Sequence, residues 1–304
     1  MNRRHFVANL SAALGLLGLF TCSCGMLGQV TQDVTDAGQK LAFGGAKAAA
    51  AATLPIGIEE EVSYGGAISV MVVQRYGGLV DDPAVHGYIN LLGQALALHA
   101  QRPNLAWHFA VLDSPQVNAL SAPGGYVFVT KGALLQMTDE AQLAGVLAHE
   151  IGHVDARHAL ESIKALKAKS ALAQGAADAW KDSALFGQLL DTYLGDFFEH
   201  GLPVAAEFEA DALGTGLLMR VGWYGAGLRD FLAILGKMEA QADKPTTAQF
   251  EKTHPKTADR ISKLEEQLKR FGDFSGSRDE ARLRAVQAKA RSFKPAPPAQ
   301  AIAP

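Results

Sequence analysis

Cysteine is nearly absent from this chain: the 304 residues hold two, Cys22 and Cys24, both beside an N-terminal apolar segment. Disulfides therefore cannot staple the bulk of the protein. Beyond that segment no run of roughly 18 apolar residues occurs, so no later stretch has the length to span a bilayer. Basic residues are not in excess either. With 28 Lys and Arg against 31 Asp and Glu, the net charge is −3, which excludes a basic nucleic-acid footprint, and no DNA- or RNA-reading motif stands out. No period of about 20 to 50 residues recurs, which excludes an appended helical-repeat array. What remains is 48% hydrophobic and 19% charged, enough to bury one sizeable core with extensions.

The N-terminus reads as an export signal. Arg3 and Arg4 supply positive charge, and Val7 to Phe20 form the apolar run that follows it. Arg3-Arg4-His5-Phe6-Val7 also has the twin-arginine form. Three outcomes stay open: lipidation of Cys22 or Cys24, simple cleavage, or retention as an anchor. Neither cysteine sits in a complete lipoprotein box, because Cys24 lacks a Leu three residues upstream and Cys22 follows Thr21. We expect a signal over 1–24, an Ala/Gly-rich tether over 25–55, a folded domain over 56–292 and a disordered Pro/Ala-rich tail over 293–304. The expected location is the bacterial envelope, periplasmic or membrane-anchored.

The chemistry centres on AGVLAHEIGHVDARHAL, residues 144–160. His149, Glu150 and His153 form HExxH. In a helix, residues i and i+4 share a face about 6 Å apart along the axis, so two imidazoles can meet on one ion. Zinc accepts His nitrogens, and a site with three protein ligands keeps a position for water. Glu150 then stands as the general base. The helix is apolar almost all round, which marks it as buried. A buried His and Glu need partners.

The flanking pattern predicts a mainly α domain with a small β-sheet. Helices are expected from Ile58 to Tyr76 and from Pro83, behind an Asp cap, to about His99. Strand-like runs cover 105–112 and 125–130, with 118–124 joining them through turn residues. His86, His99 and His108 read as surface or packed residues, not ligands. Thr138-Asp139-Glu140 caps the metal helix, and 161–200 reads as further helix. After Pro203, Glu207 and Asp211 lie four apart on one helical face beside small apolar residues. Glu207 is the candidate third ligand, and Asp211 the acceptor that orients a ligand imidazole. Glu209 points elsewhere and reads as structural. Residues 241–253 read as a mobile polar loop leading to His254-Pro255, with Arg260 in the helix beyond.

HEIGHVDARHAL, then AEFEAD, then THPKTADR, with VNALSAPGGYVFVTKGAL ahead of them, resemble the zinc metallopeptidase family of the CAAX prenyl protease, HtpX, Oma and BepA. The likeness covers about 58 to 270. It implies a zincin-like α+β fold with one Zn²⁺ held by His149, His153 and Glu207, and with Glu150 as base. It further implies Asp211 behind the ligands, and His254 and Arg260 near the zinc-bound water or the oxyanion. An edge strand over 121–129 would hold an extended peptide, with Ser121, Ala122, Pro123, Gly124, Gly125 and Tyr126 as its contacts. Where many relatives carry a polar or basic residue just before the glutamate, this chain has Val204-Ala205-Ala206. The implied activity is endopeptidase cleavage of unfolded or misassembled envelope proteins. A client-binding adaptor with a closed zinc site is the alternative, and a purely structural zinc domain a third. His254 has two readings with opposite consequences: as oxyanion partner its loss lowers activity, and as fourth ligand its loss raises it.

Overall fold

The computed structural model describes residues 56–174, 183–240, 247–254, 257–272 and 274–294. The expected signal, tether and the tail beyond 294 lie outside the described residues. The order is α1 (Ile58–Arg75), α2 (Pro83–Ala97), β1 (His108–Leu112), β2 (Ala119–Ala122), β3 (Tyr126–Thr130), α3 (Lys131–Gln136), α4 (Glu140–Asp155), α5 (His158–Gln174), α6 (Ser183–His200), α7 (Val204–Arg220), α8 (Gly227–Ala240), α9 (Ala248–Thr253), α10 (Thr257–Phe271) and α11 (Glu280–Ser292). The protein is mainly α with one small sheet, as the pattern predicts.

The sheet runs β1-β3-β2, with β3 parallel to β1 and antiparallel to β2. Side chains alternate across it. Phe109, Val111, Ala119, Val127 and Val129 join the core beneath, with α2, α4 and α8. Leu112, Leu120, Ala122 and Phe128 join a second core with α1, α5 and α6. Both faces are therefore covered.

Three details differ from the expectation. The segment 118–124 is not all turn, since Ala119–Ala122 is itself a strand. Its apolar residues pair with β3, and the reversal is compressed into Pro123, Gly124 and Gly125, where both glycines take positive φ, 77° and 98°. Two adjacent residues with φ above zero suit a tight hairpin. Of the stretch expected to be an edge strand, only β2 lies at an edge of the sheet, because β3, which contains Tyr126, is the middle strand. Finally, Ala248–Thr253 is a short helix, not loop; Phe250 is buried and anchors it. The rest of that expected loop, 241–246, lies outside the described residues.

Helix α4 is the hub. Asp139 caps it by accepting from the Gln142 N–H, and every residue from Glu140 to Val154 is buried. Two glycines let α7 come within backbone contact of it. A Cβ on Gly214 would lie 2.8 Å from the His149 nitrogen, and one on Gly152 would lie 3.0 Å from the Ala210 carbonyl oxygen. On its other flank, a Cβ on Gly145 would lie 2.5 Å from the Leu228 nitrogen of α8. Helix axes this close leave no room for side chains between them, so Glu207 on α7 reaches the imidazoles of α4 directly.

Candidate active site

His149 and His153 present their Nε2 atoms 3.0 Å apart. Glu207 from α7 completes a triangle, with Oε2 3.7 Å from His149 Nε2 and Oε1 3.4 Å from His153 Nε2. His254, which caps the C-terminus of α9, adds a fourth donor. All four side chains are buried.

The donor set fits a divalent ion. With zinc–ligand bonds of about 2.0–2.1 Å, ligand atoms at tetrahedral corners stand roughly 3.3 Å apart, and the observed separations bracket that value. Glu207 Oε1 is buried with no hydrogen-bond partner, a costly state that coordination removes.

Behind the imidazoles, Asp211 Oδ1 lies 2.9 Å from His149 Nδ1. Arg260 in turn clamps Asp211 bidentately, donating from Nε to Oδ2 at 2.9 Å and from Nη2 to Oδ1 at 2.7 Å. Its Nη1 is 3.1 Å from Glu207 Oε2, close enough for an ion pair though not in hydrogen-bond geometry. Arg260 therefore bridges the Glu207 and Asp211 carboxylates.

Burial sets the charge states. It pushes His149 down to about 4, and it also lowers His153 despite the nearby Glu207. Both imidazoles are thus neutral, as coordination requires. Burial alone would raise the Glu207 carboxyl, but the charges of His254 and Arg260 outweigh it and hold the group well below the carboxylate range. Burial would likewise raise Asp211, and Arg260 reverses that. For His254, burial acts downward and Glu207 pulls the pKa up past its ordinary value.

Glu150 faces a cleft lined by Ser121, Ala122, Pro123, Leu160, Tyr193 and Phe197. Its Oε2 accepts from Ser121 Oγ at 2.9 Å, and its Oε1 lies 3.7 Å from His254 Nε2. His254 holds both sides of the cleft: Nδ1 sits 2.9 Å from Glu207 Oε2, and Nε2 sits 3.1 Å from the Ala119 carbonyl oxygen on the β2 edge. Of the six expected peptide contacts, Ser121, Ala122 and Pro123 line the cleft. The other three do not. The Gly124 N–H donates to Glu61, Gly125 packs on Ala106, and Tyr126 stacks on His108.

Two participants were not legible beforehand. Glu61, buried on α1, ties the hairpin turn to Arg102. His158 contacts His153, five residues earlier, outside any helical spacing; only the turn between α4 and α5 brings them together.

Two histidines at HExxH spacing on one buried helix, joined by a glutamate from a helix packed against it, define a zinc-metallopeptidase type of centre. The sequence agrees: residues 83–268 match Peptidase family M48, and the chain belongs to that family. Family members use zinc. The chain is 29% identical over 273 residues to the beta-barrel assembly-enhancing protease of Escherichia coli K12, covering 86% of this chain and 51% of that protein. To the mitochondrial metalloendopeptidase OMA1 of Schizosaccharomyces pombe it is 35% identical over 167 residues, 54% of this chain and 48% of that one. The beta-barrel assembly-enhancing protease of Yersinia pestis is 32% identical over 219 residues, 68% and 43% respectively. The chain thus spans about half the length of the curated relatives it matches.

Proposed function

We propose that the protein is a zinc-dependent endopeptidase that cleaves unfolded or misassembled proteins of the bacterial envelope. The observation that carries this reading is the convergence of His149, His153 and Glu207 from two helices, with Glu150 beside them on the cleft side. In this reading His149, His153 and Glu207 hold the metal. When bound, zinc polarises the scissile carbonyl and acidifies a water. Glu150 takes the proton of the attacking water and passes it to the leaving amine nitrogen. Ser121 holds one Glu150 oxygen by its 2.9 Å hydrogen bond and leaves the other free for that transfer. Asp211 and Arg260 orient His149 and Glu207. The β2 edge pairs with an extended substrate, and Ser121, Ala122 and Pro123 form its wall. The names of the relatives support a protein substrate and an envelope location, and the Arg3-Arg4 segment supports export, with attachment through Cys22, Cys24 or an uncleaved anchor.

Casein offered to the zinc-loaded protein tests the reading. Glu150→Gln should retain zinc and cut turnover by roughly 10²–10⁴. Zinc-dependent cleavage that survives this substitution refutes the assignment. A second reading, a client-binding protein with a closed zinc site, is favoured by one feature: His254 stands inside the donor set with both ring nitrogens engaged. Client binding without cleavage in either the parent or Glu150→Gln supports it.

A further inference from the structure

Each ligand imidazole has a second ring nitrogen, and what that nitrogen meets governs its tautomer and its strength as a ligand. For His149 the partner is Asp211. For His153, among the described residues, the partner at that place is a histidine and not a carboxylate. His153 Nδ1 lies 2.9 Å from Nδ1 of His158, and His158 Nε2 lies 3.4 Å from Oε2 of Glu209. The three groups form a chain from the metal centre to the surface: the His158 side chain is 10% exposed, and that of Glu209 is 61% exposed.

We propose that His158, backed by Glu209, is a positioning residue for the metal, fixing His153 in its coordinating tautomer through a hydrogen bond between the two rings. This rests on the reading that His153 binds zinc through Nε2. Coordination at Nε2 leaves the proton of His153 on Nδ1. That N–H donates to His158 Nδ1, which must then be the bare nitrogen, and His158 carries its own proton on Nε2, directed at the Glu209 carboxylate. Donors and acceptors alternate along the whole chain with no clash. The opposite tautomer of His158 would set two N–H groups against each other at 2.9 Å.

Local backbone geometry serves this contact. Arg157, a non-glycine residue, takes left-handed backbone with φ 59°. Left-handed backbone at a residue other than glycine is uncommon and costs of order 1 kcal/mol. Here it ends α4, with the Ala156 and Arg157 N–H groups bonded back to Gly152 and Val154, and turns α5 so that its first residue, His158, folds onto His153. Glu209 stands on the face of α7 away from Glu207 and reaches the same ring from the other side. The two ligand histidines are thus supported differently. His149 leans on a buried Asp211–Arg260 pair, and His153 on a chain that ends at solvent.

Zinc affinity of the full chain, measured by competition with a chromophoric chelator, tests the proposal. His158→Phe removes the acceptor and should weaken zinc binding roughly 10- to 100-fold. His158→Gln restores an acceptor oxygen and should recover most of the loss. Glu209→Gln should have a smaller effect that shrinks further at high salt, because its carboxylate is exposed. A structural role alone would lower the zinc-free melting temperature of His158→Phe and leave its affinity unchanged. Affinity within threefold of the parent, or no recovery by Gln, overturns the proposal. A readout free of any folding concern uses ¹⁵N-labelled, zinc-loaded parent protein. The His158 ring should show a bare Nδ1 and a protonated Nε2, and the reverse tautomer overturns the proposal. His153→Ala separates the two levels: if it leaves zinc affinity intact, the metal-site reading itself fails, whereas a large loss there with none at His158→Phe sinks only the present inference.

Discussion

His254 is the residue on which the state of the centre turns. It is 2% exposed, bonded through Nδ1 to the ligand carboxylate and through Nε2 to the outward carbonyl of Ala119. That carbonyl belongs to the strand edge an extended substrate would need. A group that stands within the donor set and also holds the edge carbonyl would compete with substrate twice. His254→Ala should therefore raise casein cleavage several-fold, read as initial rate at fixed zinc. A fall would return His254 to the role of oxyanion partner. At this scale the sequence was most informative about what each residue is for. HExxH spacing pairs two imidazoles on one helix whatever the surroundings, and Glu207 and Asp211 share a face by the same periodicity. It was least informative about partners. Arg260 binding Asp211, and His158 binding His153, depend on segments far apart or on a turn whose backbone angle no side-chain pattern announces.

At the scale of elements, the site exists because α4 and α7 touch backbone to backbone. Gly214 is the test of that contact. An alanine there would place its Cβ 2.8 Å from the His149 nitrogen, and since the obstruction is main chain in a buried helix, the two helices must separate. Overpacking of this kind costs about 1–3 kcal/mol. Gly214→Ala should lower the unfolding free energy of the zinc-free protein, read from urea titration, by that amount and weaken zinc binding as well, since the Glu207 carboxylate moves with α7. Unchanged affinity would show that the carboxylate reaches the ion by some other route. The glycines themselves were visible in the sequence, whereas the approach they permit was not. Strand β2 makes the same point from the other side. NALSAPG has a turn-rich composition, and only the presence of β3 alongside recruits Ala119–Ala122 as an edge.

Across the whole molecule, two apolar cores are built without His149, His153, Glu207 and His254. One core includes α2, α4, α8 and α11, and the other joins α1, α5 and α6 over the opposite face of the sheet. Flanking helices outside the family match contribute. Leu283 and Ala290 of α11 are fully buried, and Gln287 donates to the Leu134 and Met137 carbonyls next to α4. Chelation should therefore lower the melting temperature without unfolding the protein at ambient temperature. With free zinc a thousandfold above its dissociation constant, binding contributes about 4 kcal/mol, which corresponds to roughly 8–16 °C for a domain of this size. Far-ultraviolet circular dichroism of the chelated protein should stay helical. Loss of helix at 25 °C would instead mark the zinc as structural.

By itself the amino-acid sequence determined the class of chemistry, because metal-ligand spacing is a local property of one helix and survives any arrangement of the rest. It also determined that this helix is buried, since no polar face was offered to water. Tertiary structure alone decided how closely Glu207 and His254 approach the imidazoles, which strand forms the exposed sheet edge and what supports His153 from behind. Those are contacts between segments far apart in the chain or on either side of a sharp turn, set by how closely backbones can approach, and helical periodicity carries no information about them.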